Sequence, residues 1–483
     1  LGTMWQIGNT TVRSALRLRE GLIALKVSGQ EGKIRKKEGE KNMCKLLNEK
    51  GVIELSKNQI DKSYSVGRKW RSAMVKMGFL YPKLIGEEKC LQDQVGIFDH
   101  ITPSGQRLIE AESLSGRHEC HLRAMISYHI DYKELINVFN FKKKGLKVIE
   151  SNKPRYPFIF ILKILTYLDE ICGDSKITKD EMGLIIQCTD PKTNPEDVVC
   201  EIINFRKEME TSLSKKKFVN ECLARKSEEI GLKVSTIGAD YPDTTFRYLK
   251  ATGVICSRGK KSISIVPEEL SNIKDIIQNE IIPKDQIVKY QESCFGASLP
   301  TDNSIEKAVT NLINYGNLIS EKGKPFDISQ VDTKDIKATL IATKDIKESL
   351  FKLKEIDFAR EQKNKSEEIL KYIELLIFRK QNVNLNGTLS DKSKIKIPKD
   401  EHPAYFEWAI WRAFLSLDSL SNKPWDARRF EIDQDFLPLN HAPGGGADVI
   451  IELENILLIV EVTLTSSSRQ EAAEGEPVRR HVA

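Results

Sequence analysis

The sequence predicts a multidomain fold: a mainly α-helical body of winged-helix modules, followed by an incomplete α/β domain at the C-terminus. Three observations predict it. Helical spacing gives way to short extended runs twice before residue 300, two strand-like runs rich in Ile, Leu and Val meet at Glu454-Asn455, and charge divides between the two regions. Residues 401–483 hold 7 Lys and Arg against 14 Asp and Glu, while residues 1–400 hold 68 against 55. A basic body with an acidic end suits one part that meets a polyanion and another rich in carboxylates, although uneven surface charge without function gives the same counts.

With 483 residues the chain has room for about three ordinary domains. At 40% hydrophobic and 30% charged, it can bury real cores. Its longest apolar run, Phe158 to Leu168, is too short to span a bilayer and carries Lys163 in its middle. No basic-led apolar leader opens the chain, so neither a membrane protein nor a secreted one is expected. The nine cysteines form no CxxC pair and no framework spacing, which fits reduced thiols and a cytoplasmic location. The run His118-Glu119-Cys120-His121 could suggest a metal site, but its ligands are crowded and lack a partner cluster, so a solvated helix face is expected.

The first module is expected over residues 1–130. Trp70, Ala73, Met74 and Met77 fall at i, i+3, i+4 and i+7, one apolar helix stripe, with Gly78 at the C-cap and Phe79-Leu80 opening an extended run. Thr102 or Ser104 then caps another amphipathic helix. The stripe's other side carries Arg68, Lys69, Arg71 and Lys76, placed for phosphates or a groove.

The second module is expected over 131–300. An apolar helix precedes Thr178, which can cap a helix through Met182 and Ile186. A later helix bearing Arg247 and Lys250 ends near Gly253, and a two-stranded wing follows whose tip is Arg258-Gly259-Lys260-Lys261. Such modules bind DNA, and they also serve as protein contacts. Residues 301–395, with Leu350, Leu353, Ile356, Ile369, Ile373 and Leu376 at helical spacing, read as a helical linker packed on one face. The aperiodic stretch rich in Asn, Gly, Ser and Pro that closes it marks a boundary near 395.

Residues 396–483 carry the sharpest chemistry. If Glu454-Asn455 is a tight turn, opposing residue numbers sum to 909, and Asp448 faces Glu461 with Cβ atoms about 5 Å apart. Thr463 falls on the same face, while Val449, Ile451, Leu453, Ile456, Leu458, Val460 and Val462 form an apolar opposite face. Facing carboxylates repel, and a shared proton or a hard cation such as Mg2+ would make them tolerable. An ordinary solvated pair on an edge hairpin is the other reading. Glu407 is the one acid inside the apolar run from Pro403 to Leu417, and a Glu among aromatics needs a partner. The glycine-rich bend Asn440 to Asp448 lacks the ending of a nucleotide-binding loop, so its glycines are expected to allow close backbone approach.

A helix with an inward Glu, an Asp opening one hairpin strand and Glu-x-Thr ending the next resembles a PD-(D/E)xK nuclease core. The stretches "FEW", "LNHAPGGGADVIIE", "VEVT" and "EGEPVRRH" are similar to the AlwI-like type IIS restriction endonucleases, a family that includes nicking endonuclease large subunits. The opening "WQIGNTTVRSALRLREGL", with Arg13, and the two modules resemble the recognition regions of AlwI-like and, more distantly, FokI-like enzymes.

The resemblance implies double-stranded DNA as partner, Mg2+ as cofactor, and metal ligation by Asp448, Glu461 and the carbonyl of Val462. It also implies that Glu407 and Glu474 complete the acidic set. Thr463 stands where the wider superfamily has Lys, which leaves transition-state charge to the metal and to Arg469 or His481. A transient homodimer or a small subunit would pair through the catalytic domain. The same build suits a strand-specific nickase or a catalytically dead DNA-binding remnant, and a winged-helix regulator is disfavoured by the acidic set. Relatives continue past Ala483, so the nuclease domain is expected to be truncated, with residues 396–483 loosely packed and an open sheet edge.

Overall fold

The computed structural model describes residues 4–53, 64–130, 154–259, 261–279, 285–379, 389–390, 395–398, 401–417 and 420–464. It is mostly helical with small sheets. The chain forms two compact units: a larger one of Leu1–Lys50, Asp61–Asn317 and Asp327–Lys344, and a smaller one of Gly51–Ile60, Leu318–Phe326 and Asp345–Ala483. Among the described residues no helix is long and apolar enough to cross a membrane.

In the larger unit, α1 (Leu18–Ser28), α2 (Lys36–Glu49) and α3 (Ser65–Lys76) pack around the expected stripe, with Trp70, Ala73, Met74 and Met77 all buried. The crossing of α1 on α3 is close because Gly21 has no side chain; a Cβ there would meet Met74 and Trp70. After Gly78 the chain is extended, but its partner is one isolated bridge, Leu80 with Ile101, not a full wing. Thr102 caps α4 (Pro103–Glu110), accepting from the Gly105 amide, and α5 (Leu114–Ser127) follows. On α5 the expected solvated face holds for Glu119 and fails for His121, which is fully buried against the Phe79 ring.

The second half of this unit runs α6 (Pro157–Cys172), β1 (Ile177–Thr178), α7 (Lys179–Leu184), α8 (Pro195–Thr211), α9 (Lys215–Ile230), α10 (Tyr241–Lys250), β2 (Ile255–Ser257) and β3 (Ser262–Ile265). The sheet is antiparallel with β3 in the centre. Thr178 makes a full capping box with Glu181, whose carboxylate also takes Arg206 from α8 at 2.7 Å. Each partner satisfies donors that a helix start leaves open. The N-terminal segment belongs here too: Gln187 Nε2 donates to the Trp5 carbonyl at 2.9 Å, and Trp5 Nε1 to that of Thr189 at 2.7 Å.

In the smaller unit, residues 345–377 of the stretch read as a linker contribute to the core. The helix α11 (Ile336–Glu361) supplies Phe351 and Phe358, and α12 (Ser366–Ile377) supplies Ile369, Leu375 and Leu376. They pack with α13 (His402–Leu415), whose Tyr405, Trp408, Ala409, Trp411 and Leu415 are buried. Aromatic side chains on both sides explain this, since Phe358 stacks on Trp411 and Tyr372 meets Trp408 edge to face. Arg428 and Glu355 lock the arrangement with a bidentate pair at 2.9 and 3.1 Å, Glu355 being 1% exposed.

The hairpin β4 (Val449–Leu453) and β5 (Ile456–Val460) has the expected register and two-residue turn: Val449 pairs with Val460 and Leu453 with Ile456. Two expectations need correction. The described part is not loosely packed, because residues 421–429 cover the outer edge of β4: Ser421 N donates to Glu452 O, and Ile450 N to Ala427 O. The apolar face is not all core either, since Val449 and Ile451 are buried but Ile456 at the turn is 55% exposed.

Candidate active site

The smaller unit brings three acids together from a helix and two strands. Glu407 sits on the core side of α13 because the neighbouring positions are aromatic, and it is 5% exposed. Its Oε2 accepts the Ala442 amide of the glycine-rich bend at 2.6 Å. Burial, and then the charges of Asp448 and Glu461, push its carboxyl up to about 8, against the lowering effect of the Ala442 N–H.

Asp448 is one residue before β4 and Glu461 one after β5, so the observed register sets them opposite each other on one face. Asp448 Oδ2 accepts the Val462 amide at 2.7 Å, which extends the alignment past the last paired residues. Both acids are half-buried, as are Val462 and Thr463. A third segment joins this face: Arg428 bridges Val449, and the Arg429 amide donates to the Asp448 carbonyl at 3.3 Å. Arg429, Asp448 and Glu461 thus succeed one another across three adjacent chain segments. The sequence reading passes over Arg429; its only signal is a second arginine beside one that the core consumes.

Among the described residues, no three His, Cys, Asp or Glu side chains gather closely enough to enclose a metal ion. What the fold provides is two carboxylates on one face, a buried carboxyl behind them and main-chain oxygens at the strand ends. Glu474, Arg469 and His481 lie outside the described residues.

The basic residues of the larger unit divide. Arg68, Arg13 and Lys261 are exposed, and Lys69 is half-exposed. Arg258 pairs with Asp174 at 3.2 Å while its side chain stays 56% exposed. Lys250 donates to Ser257 Oγ at 3.2 Å. Two expectations are overturned. Arg71 turns inward, donating to the Ile34 carbonyl at 3.2 Å and pairing with Glu40 at 3.4 Å, so it holds α2 to α3. Arg247 is spent on the Val12 and Arg13 carbonyls at 3.2 and 2.6 Å and on Asp243, which fastens the N-terminal segment to α10. Lys260 lies outside the described residues.

Comparison with known families gives the class, which is that of the restriction endonucleases. Specifically, the model of the AlwI restriction endonuclease family matches residues 75–483, and the chain belongs to that family. Among solved structures it is similar to the BpuJ1 endonuclease binding domain, determined in complex with pyrene- and phenanthrene-modified DNA. That match has 14% identity and a TM-score of 0.33, over 53% of this chain and 85% of the other. No curated protein matches.

Proposed function

We propose that this chain is a type IIS enzyme that hydrolyses DNA phosphodiester bonds at a fixed offset from a short asymmetric site, with Mg2+ as cofactor. The observation that carries the reading is the pairing of Asp448 with Glu461 on one face of the hairpin, backed by Glu407. The donor chemistry fits the ion. Mg2+ takes one or two carboxylates and fills its remaining positions with water and phosphate oxygens, so a closed protein cage is not required. The negative charge that Asp448 and Glu461 impose on Glu407 marks a place where a cation is favoured.

Asp448, Glu461 and the Val462 carbonyl would hold the ion, which when bound supplies an acidic water and offsets phosphate charge. The chain's own residues do the remainder. Glu407 stands behind the pair on α13, with its Oε2 fixed by the Ala442 amide. The register holds Asp448 and Glu461 in place without help from a loop. In the hydrolysis the water oxygen bonds to phosphorus, the ester P–O bond breaks, one water proton leaves to solvent and the other ends on the leaving oxygen. Thr463 adds a hydroxyl on the same face and no charge.

The order α6, β1, α7, α10, β2, β3 supports a winged-helix reading of the second module, with α8 and α9 as an insertion. Its tip, with Arg258 and Lys261, would lie on the DNA backbone, as would Arg68 and Lys69. Cutting both strands with one acidic set would require a second such unit, from another copy or a small subunit. The test is a Mg2+ cleavage assay on Asp448→Asn and Glu461→Gln, with duplex binding measured in chelator. Cleavage should vanish and binding persist; wild-type cleavage by Asp448→Asn would refute the site.

A further inference from the structure

We propose that Arg429 is the phosphate-contacting cation of this site, donating its guanidinium N–H groups to a non-bridging oxygen of the scissile phosphodiester. The proposal rests on the DNA-cleaving reading above. Three observations carry it. Arg429 lies opposite Asp448, as Asp448 lies opposite Glu461, so its backbone sits one strand spacing from Asp448 and its side chain leaves on the same face.

Its guanidinium rests against the glycine bend, where a Cβ at Gly446 would collide with it. The side chain is therefore held by a vacancy that glycine alone leaves open. Finally, among the described residues its guanidinium has neither a hydrogen bond nor an ion pair. The other arginines described in the C-terminal part of this unit are committed. Arg412 is taken by Gln362 and Glu368, Arg428 by Glu355 and the Phe430 carbonyl, and Arg379 by the Leu464 carbonyl.

Arg429 is half-buried, and its guanidinium lies at the glycine bend with its fork of donors open. That fork matches the oxygens of a phosphate. The site needs such a group, because Asp448 and Glu461 repel the phosphate they must act on and Thr463 brings no positive charge.

The experiment is a binding cycle in chelator, so its readout does not depend on metal or turnover. The bond cut by wild-type protein in Mg2+ is located first. Duplexes are then made with a natural phosphate or a neutral methylphosphonate at that bond. Arg429→Gln should weaken binding of the natural duplex by roughly 10-fold, the usual scale for a hydrogen bond to a charged group, and leave the methylphosphonate duplex unchanged. Arg429→Lys should recover part of the loss, and Gly446→Ala should reproduce part of it by displacing the guanidinium. The thermal midpoint of Arg429→Gln should not move, since no hydrogen bond or ion pair within the chain is removed. Equal loss on both duplexes, or none on either, would overturn the assignment of Arg429 while leaving the nuclease reading intact. Failure of the wild-type protein to cut any DNA would overturn both.

Discussion

Replacing His121 tests whether a buried, neutral imidazole makes the larger unit sensitive to acid. Its ring is 0% exposed, neither ring nitrogen has a hydrogen-bond partner, and it meets Phe79 edge-on at 5.4 Å. Burial, reinforced by His118 and Arg117, lowers its pKa from 6.5 to about 3. In the unfolded chain the ring takes a proton below about 6.5, while in the folded unit it does not until about 3. The unfolded state therefore binds more protons in that window, and stability falls as pH falls through it. The slope is about 1.4 kcal/mol per pH unit, or roughly 2–3 kcal/mol between pH 6.5 and 4.5. His121→Leu removes the titration and keeps an apolar body against Phe79.

The assay is urea unfolding of both proteins from pH 8 to 4.5, with the transition of this unit identified by amide protection in α5. Taking the difference between the proteins cancels the carboxylates that titrate in both. The variant should match or exceed wild type at pH 8, because an unsatisfied ring N–H costs about 1–3 kcal/mol. Its advantage should then widen steadily below 6.5. Parallel stability curves across the range would refute the reasoning.

Two further outcomes follow from the same structure. Glu355→Ala should destabilise the smaller unit by about 3–5 kcal/mol, because Arg428 stays buried without its partner, and a Glu355→Met, Arg428→Met double variant should recover much of this in thermal unfolding. Neutralising Arg258 and Lys261 should weaken binding to all DNA sequences alike and reduce the salt slope by about 1 for each phosphate no longer neutralised, read by titration at several salt concentrations.

Local rules carried the parts of this molecule that are settled by neighbours in sequence. The turn at Glu454-Asn455 fixes the pairing of ten residues, and period-two alternation then places Asp448 opposite Glu461. Thr178 and Thr102 are caps because their hydroxyls reach amides three residues on. What remained hidden depends on residues far away in the chain. Arg71 looks solvent-facing on its own helix, yet Glu40 and the Ile34 carbonyl close over it. Arg247 could not be foreseen as a clamp, since the Val12 and Arg13 carbonyls that it binds lie more than 200 residues earlier. The helices at 345–377 read as a linker because their stripe gives no hint that Trp408 and Trp411 would fill its other side. Arg429 escaped because nothing local distinguishes it from Arg428; only the bridge to Val449 does.

The two-residue turn between β4 and β5 also sets where this chain can change length. One residue inserted within either strand, between the turn and its acid, would carry that acid to the opposite side of the sheet. Two would restore the side but move it by about 6–7 Å along the strand, out of step with its partner. Residues added at Glu454-Asn455, by contrast, lengthen a loop at the far end of the hairpin and leave the pairing of every earlier position as it was. Insertions and deletions tolerated in this part of the protein should therefore collect at that tip, and homologous sequences of different length should align without gaps through both strands.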